Sequence, residues 1–111
     1  MGTGFKVTYM PFAEEGLYNI QDYIFSKSKD SETAVRMVRR IVAYANNNLS
    51  YNPFIGRIIS EYKLKTKNVR RITTTDKRYN IYYSVNEQAR EVYILKIVDG
   101  RQSVERQLSG L

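Results

Sequence analysis

"VRRITTTDKRYNIYYSVNEQAREVYILKIV", residues 69–98, is the stretch on which the architecture turns. Two polar breaks, at residues 75–77 and 86–90, cut it into three pieces rich in β-branched and aromatic residues. Such residues suit a pleated, half-buried surface, and the Asp- and Asn-containing breaks suit tight turns. The spacing predicts an antiparallel meander of strands 69–75, 78–85 and 91–98. The last piece is apolar at nearly every position, as a central strand should be. In the middle piece, period two sets Tyr79, Ile81, Tyr83 and Val85 on one face and Arg78, Asn80, Tyr82 and Ser84 on the other. The first set reads as core. The second set is expected to leave Arg78 and Tyr82 on an exposed face.

Working outward, "FKVTYM" (5–10) alternates Phe5, Val7 and Tyr9 against Lys6 and Thr8, the pattern of a short strand. Pro11 ends it and suits the start of a helix. Ala13, Leu17, Ile20 and Ile24 recur at helical spacing over 12–26, with Glu14 and Glu15 in the first turn. After a polar break, Asp30 or Ser31 can cap a second helix over 31–51 whose stripe is Ala34, Val38, Ile41, Ala45 and Leu49. Asn52-Pro53 stops it. Gly56 marks a turn, Arg57-Ile58-Ile59 can open a short strand, and the tail "DGRQSVERQLSGL" (99–111) can form a short helix. The expected fold is α+β, with order β-α-α-β-β-β: a mainly antiparallel sheet with an N-terminal helical hairpin packed on one face. Residues 1–111 show no repeat, linker or low-complexity stretch and read as a single domain.

Composition excludes several chemistries. The chain has neither cysteine nor histidine. Ser-His-Asp and Cys-His nucleophile systems are out, as are thiolate and imidazole zinc sites. No metal and no cofactor is expected. Any acid–base step would fall to carboxylate, tyrosine or lysine with a shifted pKa, leaving arginine and lysine as electrostatic stabilisers. No signal peptide and no apolar run long enough to span a bilayer is seen, so a cytoplasmic protein without a membrane partner is the expectation.

The net charge is +7 and lopsided: residues 1–55 carry six Lys/Arg against five Asp/Glu, residues 56–111 twelve against six. A basic second half suits an acidic partner. Arg57, Arg70, Arg71, Arg78, Lys96, Arg101 and Gln102, with Tyr82 among them, are the candidate target-binding residues. Guanidinium groups hold phosphates or carboxylates, and a tyrosine ring stacks on bases. Tyr18, Tyr23, Phe25, Tyr44 and Tyr51 lie off or at the edge of the helical stripes, where aromatic residues commonly anchor a partner protein.

The phrases "FKVTYM", "AEEGLYNIQDYI", "AVRMVRRIVAYANNNL", "YNPFIGR", "VRRI", "YNIYYSV" and "VYILKIVDGRQS", in that order, resemble the RelE/ParE superfamily of bacterial type II toxin–antitoxin toxins over nearly the whole chain. The resemblance implies a small toxin held inactive by a cognate antitoxin in a hetero-oligomer, and one of two targets. RelE-like members cleave mRNA on the ribosome without a metal. ParE-like members act on DNA gyrase and are not nucleases. In a nuclease, Arg71, Arg78 and Arg101 would stabilise the phosphorane while Tyr82 or Lys96 moved protons. Here the position after Tyr79 is Asn80 where the family often has arginine, Asp99 stands where many members have histidine, and the tail 99–111 holds neither tyrosine nor histidine. An acidic Asp99 beside a scissile phosphate adds repulsion. These departures favour the ParE-like reading, a growth inhibitor that binds its target through a basic sheet face, over the metal-free endoribonuclease. A plain RNA-binding domain is a third reading. Double-stranded RNA-binding domains, however, begin with one helix and end with a long one, unlike this chain.

Overall fold

The structure, a computed structural model, describes residues 4–59, 68–102 and 104–108. Residues 1–3, 60–67, 103 and 109–111 lie outside the described residues. The elements run β1 (Lys6–Tyr9), α1 (Pro11–Ser28), α2 (Ser31–Leu49), β2 (Arg57–Ile58), β3 (Arg70–Thr73), β4 (Tyr79–Asn86), β5 (Glu91–Asp99) and α3 (Val104–Leu108).

Local chemistry sets the helix ends. Pro11 occupies the first turn of α1, where its missing N–H costs nothing. The helix ends at Lys29, which takes the left-handed conformation (φ 57°) and donates its N–H to the Phe25 carbonyl at 2.8 Å. Asp30 then caps α2: its carboxylate accepts from the Glu32 N–H at 3.0 Å and the Thr33 hydroxyl at 2.8 Å. With two residues between them the helices fold back as a hairpin.

The sheet has five strands in the order β1-β5-β4-β3-β2. The meander pairs antiparallel as expected, while β1 runs parallel to β5, with Lys6 opposite Glu91 and Tyr9 opposite Ile94. Two elements extend the expected order: the two-residue edge strand β2 and the helix α3. A register shift between Tyr82 and Tyr83 makes Tyr82 face Lys96 and Tyr83 face Ile94, so Leu95 is the extra residue of a β-bulge.

The main core lies between the hairpin and the sheet. Ala13, Ile20, Ile41, Ala45 and Leu49 meet Ile72, Tyr79, Ile81, Tyr83, Val92, Ile94 and Ile97. The approach of α1 is close: a Cβ on Gly16 would collide with the backbone carbonyl of Ile97. A second, smaller core occupies the opposite face, built from Ile59, Val69, Tyr82, Val98 and Leu108. This corrects the expectation of an exposed face. Alternation assigns Tyr82 its side of the sheet correctly, but α3 and Ile59 cover that side, and Tyr82 is 0% exposed. Arg78 also differs: it lies before β4, in the turn, and is exposed.

Candidate functional site

Strand register assembles part of the basic set into a row. Arg57 stands opposite Arg71, Arg71 opposite Tyr82, and Tyr82 opposite Lys96, so the four span β2, β3, β4 and β5 on the face turned away from the hairpin. The cations of the row flank a tyrosine that is closed off. The Tyr82 hydroxyl donates to Gln107 Oε1 at 2.8 Å, and Asn80 Nδ2 donates to the same oxygen at 2.8 Å. Gln107 Nε2 in turn donates to the Gln102 carbonyl at 2.7 Å and the Gly100 carbonyl at 3.4 Å. Asn80 is itself tied to β3, its Oδ1 accepting from the Thr73 hydroxyl at 2.8 Å. This amide hub clamps α3 over the row. At its margin Lys96 Nζ donates to the Arg106 carbonyl at 3.1 Å, and partial burial holds the Lys96 amine below the usual lysine range, with Glu15 opposing the shift.

The remaining candidates fall elsewhere. Arg70 faces the hairpin side, opposite Tyr83; its guanidinium donates to the Gly56 carbonyl at 2.7 Å and the Phe54 carbonyl at 3.2 Å. Arg78 and Arg101 gather at the far end of β5, where the Gly100 N–H donates to the Arg78 carbonyl at 2.8 Å. Arg101 grips Asp99 through two bonds, 2.9 and 3.2 Å. That pairing lowers the Asp99 pKa, against partial burial, and raises that of Arg101, with Tyr23 adding to the rise. A cleft of about 670 Å³ between α1 and this end of β5 takes in Phe12, Tyr23, Lys96, Asp99, Arg101 and Gln102. Sequence alone would set a carboxylate here against a phosphate; the structure shows it neutralised by its neighbour.

The five aromatic candidates are not one patch. Tyr18, Tyr23 and Phe25 are exposed on α1, with Tyr23 alone of the three in the cleft, and Tyr51 is exposed beyond the end of α2. Tyr44 belongs to the fold: it packs on the main core and its hydroxyl donates to the Thr73 carbonyl at 2.7 Å. Sequence reasoning missed Gln107. Its only signal is a polar residue beside Leu108 in a tail too short for periodicity to speak. Among the described residues no cluster of three His, Cys, Asp or Glu could hold a metal, and no helix is long and apolar enough to cross a membrane.

The helical hairpin on a five-stranded, mostly antiparallel sheet matches the RelE/ParE toxin fold. The chain is similar to a structure of the chromosomal ParDE toxin–antitoxin system from P. aeruginosa, with TM-score 0.67, 21% identity, and coverage of 88% of this chain and 98% of that one. It is similar too to the RelBE2 toxin–antitoxin complex from Mycobacterium tuberculosis, with TM-score 0.64, 15% identity, and coverage of 89% and 94%. The isolated E. coli RelE toxin aligns at TM-score 0.50 and 13% identity over 92% and 90%. No curated protein matches the chain closely enough to count as a relative. The family model described as "ParE toxin of type II toxin-antitoxin system, parDE" matches residues 7–104. The chain belongs to that family, and so to the RelE/ParE superfamily of type II toxins.

Proposed function

We propose that this ParE-family toxin arrests growth by binding DNA gyrase, not by cutting RNA, and that a cognate antitoxin neutralises it in the cytoplasm. The observation that carries the reading is the state of Tyr82. A metal-free ribonuclease needs an accessible group that moves a proton. Tyr82 is buried with its hydroxyl donated to Gln107, and the Lys96 amine is engaged by the Arg106 carbonyl. Among the described residues the sheet and its turns carry exposed cations at Arg57 and Arg78 and a half-exposed one at Arg71, while Arg101, also exposed, is paired with Asp99. Exposed cations beside a tyrosine and a lysine that are already engaged suit recognition of an acidic protein or protein–DNA surface. The exposed Tyr18, Tyr23 and Phe25 on α1 support an antitoxin-binding helix face.

Expression without antitoxin is expected to stop bacterial growth, and the purified chain to inhibit gyrase supercoiling while mRNA on translating ribosomes stays whole. Arg71→Ala and Arg78→Ala should each weaken inhibition by about tenfold with the fold retained, since exposed substitutions shift stability by only about 0.5 kcal/mol. Codon-specific cleavage of ribosome-bound mRNA by the wild-type chain, with supercoiling unaffected, would establish the ribonuclease instead.

A further inference from the structure

The outer face of α2 carries charge that the fold does not use. Helical geometry puts Ala34, Ile41, Ala45 and Leu49 on the buried side, and Arg36, Arg40, Ala43 and Asn47 on the side away from it, with Arg39 flanking them. All three arginines are exposed, as are Ala43 and Asn47. Packing therefore explains none of the arginines. Helix electrostatics does not explain them either: a cation that serves its own helix sits in the last turn, and α2 has none there. Glu32 is the one carboxylate of α2, placed a turn before Arg36 and out of step with Arg39 and Arg40. Residues 33–60 then hold four arginines and no Asp or Glu. Arg36 and Arg40 stand one turn apart, a like-charge pair that weakens a helix left to itself. Among the described residues Arg39 and Arg40 make no hydrogen bond or ion pair, and Arg36 reaches the Thr33 hydroxyl at 3.4 Å.

The asparagine run that follows divides in the same way. Asn46 Oδ1 accepts from the Tyr9 hydroxyl, and Asn48 Nδ2 donates to the Tyr44 carbonyl at 2.7 Å, so both serve the fold. Asn47, between them, is turned to solvent. The outer stripe from Arg36 to Asn47 is about 16 Å long at 1.5 Å per residue. It holds no aromatic and no large aliphatic side chain, which decides the kind of partner. A protein interface is anchored by buried aromatic or bulky residues. A membrane-surface helix needs its apolar face free, and that of α2 is buried in the core. A single nucleic-acid strand is held by stacking on aromatic rings. Duplex RNA is gripped across successive grooves, more than one straight stripe spans. A line of backbone phosphates remains, which guanidinium groups bind by paired hydrogen bonds and to which a carboxamide also donates.

We propose that the outer face of α2 binds the phosphate backbone of duplex DNA without reading its sequence. Arg36, Arg39 and Arg40 hold the phosphates, Asn47 adds a neutral donor further along, and the small Ala43 between them lets the backbone approach. This surface is separate from the cationic row of the sheet, which lies on the face turned away from the hairpin. The chain can thus lie on DNA while that row meets another surface, and the proposal does not depend on the gyrase reading.

The test titrates the purified full-length chain into a fluorescent duplex of about 20 base pairs and follows anisotropy from about 0.05 to about 0.3 M salt. Wild type is expected to bind unrelated sequences within about twofold of one another and to weaken steeply as salt rises. Arg36→Gln/Arg40→Gln should bind about tenfold or more weakly near 0.1 M salt, and its slope of log affinity against log salt should be shallower by about 2. Lys6→Gln/Lys77→Gln removes the same charge from exposed positions elsewhere and should change affinity by about twofold or less, because charges beyond about 10 Å are screened at that salt. Glutamine is close to arginine in helix propensity, and circular dichroism checks that each variant is folded. No duplex binding by wild type, a loss under about twofold for the arginine pair, or an equal loss for the lysine pair would overturn the proposal. Tighter binding of a single strand or of duplex RNA of the same length, lost in the arginine pair, would overturn it in favour of that nucleic acid. Weakened antitoxin binding by the arginine pair, with its DNA binding intact, would overturn it in favour of a protein partner.

Discussion

One carboxamide, that of Gln107, holds α3 to the sheet through both of its ends. Its oxygen takes two buried donors and its nitrogen serves two carbonyls. Gln107→Ala would strand the Tyr82 hydroxyl and the Asn80 amide away from water, at a cost of about 2–4 kcal/mol. Tyr82→Phe removes one donor while the oxygen keeps Asn80, so it should cost about 1 kcal/mol. Thermal melts of the two variants should therefore rank Gln107→Ala well below Tyr82→Phe. Tyr9 gives a second residue-scale expectation. Its hydroxyl donates to Asn46 Oδ1 at 2.8 Å, and burial pushes its pKa up to about 12. The folded state thus disfavours the phenolate. That contribution is intact below about pH 10, the unfolded tyrosine value, and is lost as pH rises towards 12. Melts across that window should fall more steeply for the wild type than for Tyr9→Phe. Alternation in the sequence placed Tyr82 on its face but could not say whether that face is wet, because the cover comes from a five-residue helix and from Ile59. Period two reports direction; burial depends on what arrives from elsewhere.

At the scale of elements, the hairpin and the meander were legible because each carries its own period, cap and stop. The two-residue β2 and five-residue α3 are too short to show a period. The bulge at Leu95 leaves no mark in a strand that is apolar at nearly every position. Gly16 did carry a signal: a glycine in mid-helix costs about 1 kcal/mol against alanine unless close packing needs it. Here α1 lies on the backbone of β5, so Gly16→Ala should destabilise. The gain in propensity of about 1 kcal/mol is outweighed by a Cβ driven into the Ile97 carbonyl, which can move only by lifting the helix from the sheet, for a net loss of about 2 kcal/mol or more. Asp30→Ala should cost about 1 kcal/mol through loss of the α2 cap. Urea titrations would read both, and Asp30→Asn should recover most of the second loss.

Over the whole molecule, the charge imbalance read from the sequence acquires geography. Among the described residues, Arg57 and Arg71 lie at the β2–β3 edge, Arg78 in the turn before β4 and Arg101 beyond the end of β5. Inhibition of the target by such a surface should weaken as salt rises. Raising ionic strength from about 0.05 to about 0.3 M should cut the affinity for target by tenfold or more, whereas a contact carried by the α1 aromatics would scarcely respond. The sequence showed how much charge there is but not which charges are already engaged: the pairing of Arg101 with Asp99 follows from the bend after β5, which no local pattern specifies.

The parallel pairing of β1 with β5 also sets a clock. β1 leaves the ribosome well before its sheet neighbour β5, Lys6 waiting for Glu91. Until β5 emerges, both amphipathic helices lack most of the surface they cover, and loop closure over the whole span from β1 to β5 must precede the final contacts. The toxin is therefore expected to stay protease-sensitive until β5 has emerged and to become resistant abruptly once it has. Limited proteolysis of ribosome-stalled chains ending in β4, compared with released full-length chains, would show it. A chain that cannot mature until β5 is made gives a previously made antitoxin that interval in which to be ready.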